Sequence, residues 1–109
     1  MTQSIDQYID GKRVAGTGRT VDVYDPSIGA PAKQLPFSTV DEINAAIASA
    51  KVAQREWASW NPQRRARVMM RFIDLVNQNM DELASLLSAE HGKTLADARG
   101  DVQRGLEVI

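Results

Sequence analysis

The sequence predicts an α+β chain: a β-hairpin and ribbon over residues 1–37, then about four amphipathic helices over residues 38–109. Three observations carry that prediction. An Asp-Gly pair sits between two short β-prone runs near the front, and polar and apolar residues alternate soon after it. From Ser38 onward, four capping signatures each precede apolar residues at helical spacing.

Tyr8 and Ile9 lead into Asp10-Gly11, followed by Lys12, Arg13 and Val14. An Asp-Gly pair accepts positive φ at both central positions, so a type I′ hairpin is expected. Gly16-Thr17-Gly18 reads as a flexible connector between strands, because a phosphate-cradling loop would have to open a helix. Thr20-Val21-Asp22-Val23-Tyr24 alternates as a strand with one buried face does. Asp25-Pro26-Ser27-Ile28-Gly29 is a turn, since Asp before Pro initiates one and Gly29 accepts positive φ. A short extended piece around Lys33-Gln34-Leu35-Pro36 closes this part.

Thr39 with Glu42 forms a capping box, and Ile43, Ala46, Ile47, Ala50, Ala53 and Trp57 follow in helical period, giving a first helix from about residue 40 to about residue 58. Asn61-Pro62 starts a second helix with the stripe Met69, Phe72, Ile73, Val76 and Met80. Asn79 with Glu82 starts a third, buried through Leu83, Leu86 and Leu87 and stopped by Gly92. Thr94 with Asp97 caps a fourth, carrying Leu95, Ala98, Val102, Leu106 and Ile109. Its period runs to the last residue without glycine or proline behind it. The expectation is therefore a helix made to lie against further protein, in a chain that continues.

Composition narrows the function classes. With 109 residues the chain can build one modest core, burying about 65% of its unfolded surface, so dependence on a covering partner is expected. A net charge of −1 gives no field for nucleic acid or an anionic membrane. The absence of cysteine excludes a disulfide, a thiolate ligand or a cysteine nucleophile within these residues, and the lone His91 excludes a His-rich metal cluster. The polar start Met1, Thr2, Gln3 and Ser4 is unlike a secretory leader, and no apolar run approaches the roughly 20 residues of a membrane span. A cytoplasmic protein without metal, membrane or nucleic-acid partners is expected.

Few side chains remain as candidates for chemistry. His91, at a helix end with no titratable partner at useful spacing, reads as solvated. Arg64, Arg67 and Arg71 share a helix face and read as a solvated face or subunit contact, and Trp57 and Trp60 as core. Gly100-Asp101-Val102-Gln103-Arg104-Gly105 places two glycines in one helix, each costing about 1 kcal/mol against alanine. Either the helix packs tightly at the glycines and Arg104 is solvated, or another group approaches there.

Together, the Tyr-Ile-Asp-Gly-Lys hairpin, the Asp-Pro-Ser-Ile-Gly turn, Trp57, Pro62-x-x-Arg65, Asn79-x-Asp-Glu-Leu-Ala84 and Glu90-x-Gly-Lys-Thr94 resemble the amino-terminal part of the NAD-dependent aldehyde dehydrogenase superfamily. The family usually shows Asn-Pro and a Thr before the turn glycine, where this chain has Asp25-Pro26 and Ile28-Gly29; the departure touches turn chemistry alone. Gly92-Lys93-Thr94 with the segment from Asp97 to Gly105 is similar to the CoA-acylating methylmalonate-semialdehyde dehydrogenase branch. The resemblance implies one part of an α/β Rossmann-like fold, with residues 38–109 in the helical part of the cofactor-binding domain. It also implies attack of a cysteine thiolate on a small semialdehyde, hydride transfer to NAD, and thioester transfer to coenzyme A with loss of CO2. A backbone-amide and asparagine oxyanion hole would stabilise the hemithioacetal.

Arg104 is the one site residue the resemblance carries over, as a holder of the substrate carboxylate, for which a guanidinium offers a bidentate fork. No catalytic or cofactor-binding residue falls in this chain, so the chain alone is predicted inactive and the parent enzyme to be a homo-oligomer. The alternative is a stand-alone helical interaction or oligomerisation module without catalysis.

Overall fold

The computed structural model describes residues 3–109; Met1 and Thr2, the first residues of the polar start, lie outside the described residues. The described residues form β1 (Gln3–Ser4), β2 (Gln7–Ile9), β3 (Lys12–Val14), β4 (Thr20–Asp25), β5 (Ala30–Pro36), α1 (Val40–Ser59), α2 (Pro62–Gln78), α3 (Met80–His91) and α4 (Leu95–Leu106). The expected α+β class is what forms, and the strand-to-helix switch falls between Pro36 and Val40. Among the described residues no helix is long and apolar enough to cross a membrane. The chain gathers into two compact units, one of residues up to Tyr24 with Ala30–Ser59, the other of Asp25–Gly29 with Trp60–Ile109.

In the first unit, β2 and β3 pair antiparallel with Ile9 opposite Lys12, leaving Asp10 and Gly11 as a two-residue loop. Both have positive φ, 53° and 71°, as a type I′ turn requires. The second sheet has the order β1-β5-β4, with β1 parallel to β5. Along β4, Val21 and Val23 are half-buried while Thr20, Asp22 and Tyr24 are exposed, matching the alternation in the sequence.

The loop from β3 to β4 is where the flexible-connector expectation fails. The Gly18 amide donates to the Phe37 carbonyl at 2.8 Å, and the Phe37 amide to the Arg19 carbonyl at 3.0 Å. A Cβ on Gly16 would lie 2.5 Å from the Pro36 carbonyl oxygen, and one on Gly18 would lie 2.6 Å from that of Phe37. Both glycines are therefore required by close backbone approach rather than by mobility. The same corner is tied to α1. Thr39 and Glu42 exchange the capping-box bonds, and the Thr17 hydroxyl donates to Glu42 Oε1 at 2.8 Å. The Thr39 amide first, then the Thr17 hydroxyl, hold the Glu42 carboxyl below the usual carboxylate range.

The second unit is built on α3 and α4. Its buried apolar residues are Ala84, Ala98 and Leu106, two of them small side chains and the third the last residue of α4. Asn61 caps α2 as expected, accepting from the Arg64 amide at 2.8 Å, and Thr94 caps α4, accepting from the Asp97 amide at 3.2 Å. The expected cap at Asn79 is not made. Its amide side chain donates backward to the Leu75 carbonyl at 2.7 Å, closing α2 instead of opening α3. The fourth helix is also shorter than its apolar period. It stops at Leu106, and the amides of Val108 and Ile109 turn back three residues to the carbonyls of Gly105 and Leu106.

The core differs from the one expected. Leu86 and Leu95 are exposed, and of the predicted α2 stripe Met69 and Phe72 stay open. Phe72, Leu75, Val76, Leu83 and Leu86 line an apolar groove of about 420 Å³ between α2 and α3. Trp57 and Trp60 do not form a buried core either. Trp57 is exposed, and Trp60 lies half-buried beneath the Arg64 guanidinium, 3.4 Å from its ring centroid.

Candidate functional site

The side chains best placed for chemistry gather where α3 turns into α4. Gly92 ends α3 in the left-handed conformation, φ 81°, and its amide donates to the Ser88 carbonyl at 2.7 Å. A Cβ there would also lie 3.0 Å from Pro26 Cγ, so glycine serves both the turn and the seat of the 25–29 loop. That loop is the predicted turn: the Gly29 amide donates to the Asp25 carbonyl at 2.8 Å and the Ser27 amide to Asp25 Oδ1 at 2.8 Å. Ser88 Oγ then donates to the Lys93 carbonyl at 2.7 Å, and Thr94 caps the next helix. Lys93 is thus held by backbone constraints on both sides.

From this corner the Lys93 ammonium reaches one oxygen of Asp101, while Arg104 Nη2 takes the other, three residues along α4. The Lys93 hydrogen bond holds the Asp101 carboxyl below the usual carboxylate range, opposed by burial and helped, to a lesser degree, by the Arg104 hydrogen bond. The three side chains carry a formal charge of +1. Arg104 is the outermost, 70% exposed, against 21% for Lys93 and 28% for Asp101. A guanidinium in this position can pair with an anionic group arriving from outside.

The two helical glycines of this segment part company. Arg104 Nη1 lies 3.6 Å from where a Gly100 Cβ would sit, so the arginine folds back across Gly100; nothing lies within 4 Å of a Cβ on Gly105. His91 ends α3 exposed, as the sequence implies. Arg64, Arg67 and Arg71 are exposed on α2, with Arg64 stacked on Trp60. Lys93 and Asp101 were not singled out from sequence. The three-residue step from Asp101 to Arg104 is a visible pairing signal, whereas the Lys93 contact depends on the corner.

Comparison with known proteins shows the family of the chain. The sequence model of the aldehyde dehydrogenase family matches residues 13–109. Malonate-semialdehyde dehydrogenase 3 of Geobacillus kaustophilus is 40% identical over 109 residues, covering 99% of this chain and 22% of its own length. The acylating, mitochondrial methylmalonate-semialdehyde/malonate-semialdehyde dehydrogenase of Rattus norvegicus is 38% identical over 107 residues, covering 97% of this chain and 20% of its own. A crystal structure from Sinorhizobium meliloti, assigned as a methylmalonate-semialdehyde dehydrogenase and complexed with NAD, superposes with a TM-score of 0.95 at 51% identity, over 99% of this chain and 22% of that one. The chain spans about a fifth of the length of these relatives, in their amino-terminal part.

Proposed function

The chain belongs to the aldehyde dehydrogenase family, and from that premise we propose that it serves as the amino-terminal part of an NAD-dependent, CoA-acylating (methyl)malonate-semialdehyde dehydrogenase. The reaction is oxidation of the semialdehyde to an acyl-CoA with loss of CO2. The observation that carries this reading is similarity through almost the whole chain to relatives bearing that activity in their names.

NAD would accept the hydride; the S. meliloti neighbour, complexed with NAD, supports it as cofactor. The Gly16-Thr17-Gly18 loop is closed by the Pro36 and Phe37 backbone, which leaves no room there for a phosphate. Coenzyme A as acyl acceptor rests on the acylating label of the rat relative. Without cysteine, these 109 residues lack the thiolate nucleophile, so the chain alone is inactive. Its own contribution is Arg104, which holds the substrate carboxylate. Residues 1–37 supply a β-ribbon, and residues 38–109 a helical part of the cofactor-binding domain. The complete enzyme acts in the cytoplasm as a homo-oligomer. A free-standing helical module is a poorer reading, since α1 and α2 have no buried residue.

The test is the polypeptide encoded by the complete reading frame, supplied with NAD, coenzyme A and malonate semialdehyde. NADH and acetyl-CoA should form in equal amounts. NADH formed without thioester would overturn the acylating assignment, and turnover of simple aldehydes alone would overturn the substrate.

A further inference from the structure

Asp101 presents one carboxylate oxygen to Lys93 and the other to Arg104. That division matters because an aspartate left alone with an arginine accepts two parallel N–H bonds, closing the fork and cancelling its charge. With one oxygen taken by Lys93, Arg104 is joined to Asp101 through Nη2, and the charge of the aspartate is shared between two cations. Lys93 is suited to hold that oxygen. Gly92 at positive φ, the Ser88 bond to its carbonyl and the Thr94 cap fix its backbone, and its side chain is among the less exposed of the three. Arg104 has Nη1 drawn back over Gly100, yet its side chain is 70% exposed, so solvent and an arriving anion can reach it.

We propose that Lys93 and Asp101 are positioning residues for Arg104, keeping its guanidinium tethered by a single edge so that one positive charge stays available to the substrate carboxylate. The proposal rests on the reading of Arg104 as the carboxylate holder. Lys93 and Asp101 act through Arg104 and touch no reacting atom.

The experiment uses the full-length enzyme and compares malonate semialdehyde with propanal, an aldehyde of the same chain length without the carboxylate. Arg104→Gln tests the underlying reading: the ratio of KM for the semialdehyde to KM for propanal should rise. Lys93→Met tests the inference. It releases Asp101 to chelate Arg104, and the same ratio should rise about 5-fold, in proportion to a partly screened charge. Lys93→Arg, which restores the cation, should bring it back. Should Lys93→Met not fold, Lys93→Gln carries the same expectation.

If Arg104→Gln shifts the ratio and the Lys93 variants do not, the positioning role is overturned and the carboxylate reading stands. Equal losses on both substrates in the Lys93 variants overturn it as well, since they signify general disorder at the corner. If Arg104→Gln leaves the ratio unchanged, both fall.

Discussion

Helix α1 and the α3–α4 pair illustrate two ways of holding a helix. The first runs for 20 residues without one that is buried, and Ile43, Ile47 and Val52 are exposed on it. Its start is nevertheless tied three times over to Glu42, by Thr39 and by the amide and hydroxyl of Thr17. The α3–α4 pair is shorter but encloses Ala84 and Ala98 at 1% and 0% exposure. Short helices gain most of their stability from packing, with caps adding about 1 kcal/mol each. Side chains on α3 and α4 are therefore placed by their neighbours, whereas α1 within this chain is placed from one end.

Four substitutions or conditions would break or sharpen that contrast, each read by amide exchange or unfolding of the full-length protein. Ala98→Leu should have the largest effect, destabilising the α3–α4 pair by about 3 kcal/mol, because the site has no room; an unchanged exchange pattern there would refute packing as its anchor. Acidification comes next. The folded-state carboxyl of Glu42 titrates below its ordinary range, so its contribution is present above about pH 4.3 and is lost as pH falls through the lowered value. Protection of the amides at the α1 start, taken relative to intrinsic exchange, should fall over that acid window, and Glu42→Gln should remove that fall. Asn61→Ala removes the bond to the Arg64 amide and should cost about 1 kcal/mol at the start of α2. Smallest of all, Val52→Ala on exposed α1 should change stability by less than about 0.5 kcal/mol. A larger loss would mean that this face is covered in the complete protein.

The features readable from sequence are the local ones. The Asp10-Gly11 turn, the Thr39–Glu42 box, and the caps at Asn61 and Thr94 are each settled within three or four residues, and all form as expected. What escaped depends on distant chain or on a choice between two local partners. Gly16 and Gly18 looked flexible because Phe37 had not yet been placed against them. Asn79 carries a forward-capping pattern, but it ends α2, and the carbonyl of Leu75 claims its side chain. On α4 the expected Ala98 and Leu106 are buried, whereas on α3 the burial falls on Ala84 rather than on the expected Leu86, since helices that approach closely select small residues that periodicity does not distinguish. Arg104 was proposed by resemblance; its neighbours Lys93 and Asp101 emerge only once the corner is built.

The seat of Pro26 on Gly92 bears on the order of assembly. The two positions are 66 residues apart (92 − 26), so their contact closes a long loop, whereas α2, α3 and α4 form from neighbours along the chain. Loop closure of that span is entropically costly and slow relative to helix growth. The seating of the 25–29 turn on Gly92 is therefore expected after the local bonds that fix Lys93, so a mutation in that turn should slow this docking while leaving the Lys93 corner formed.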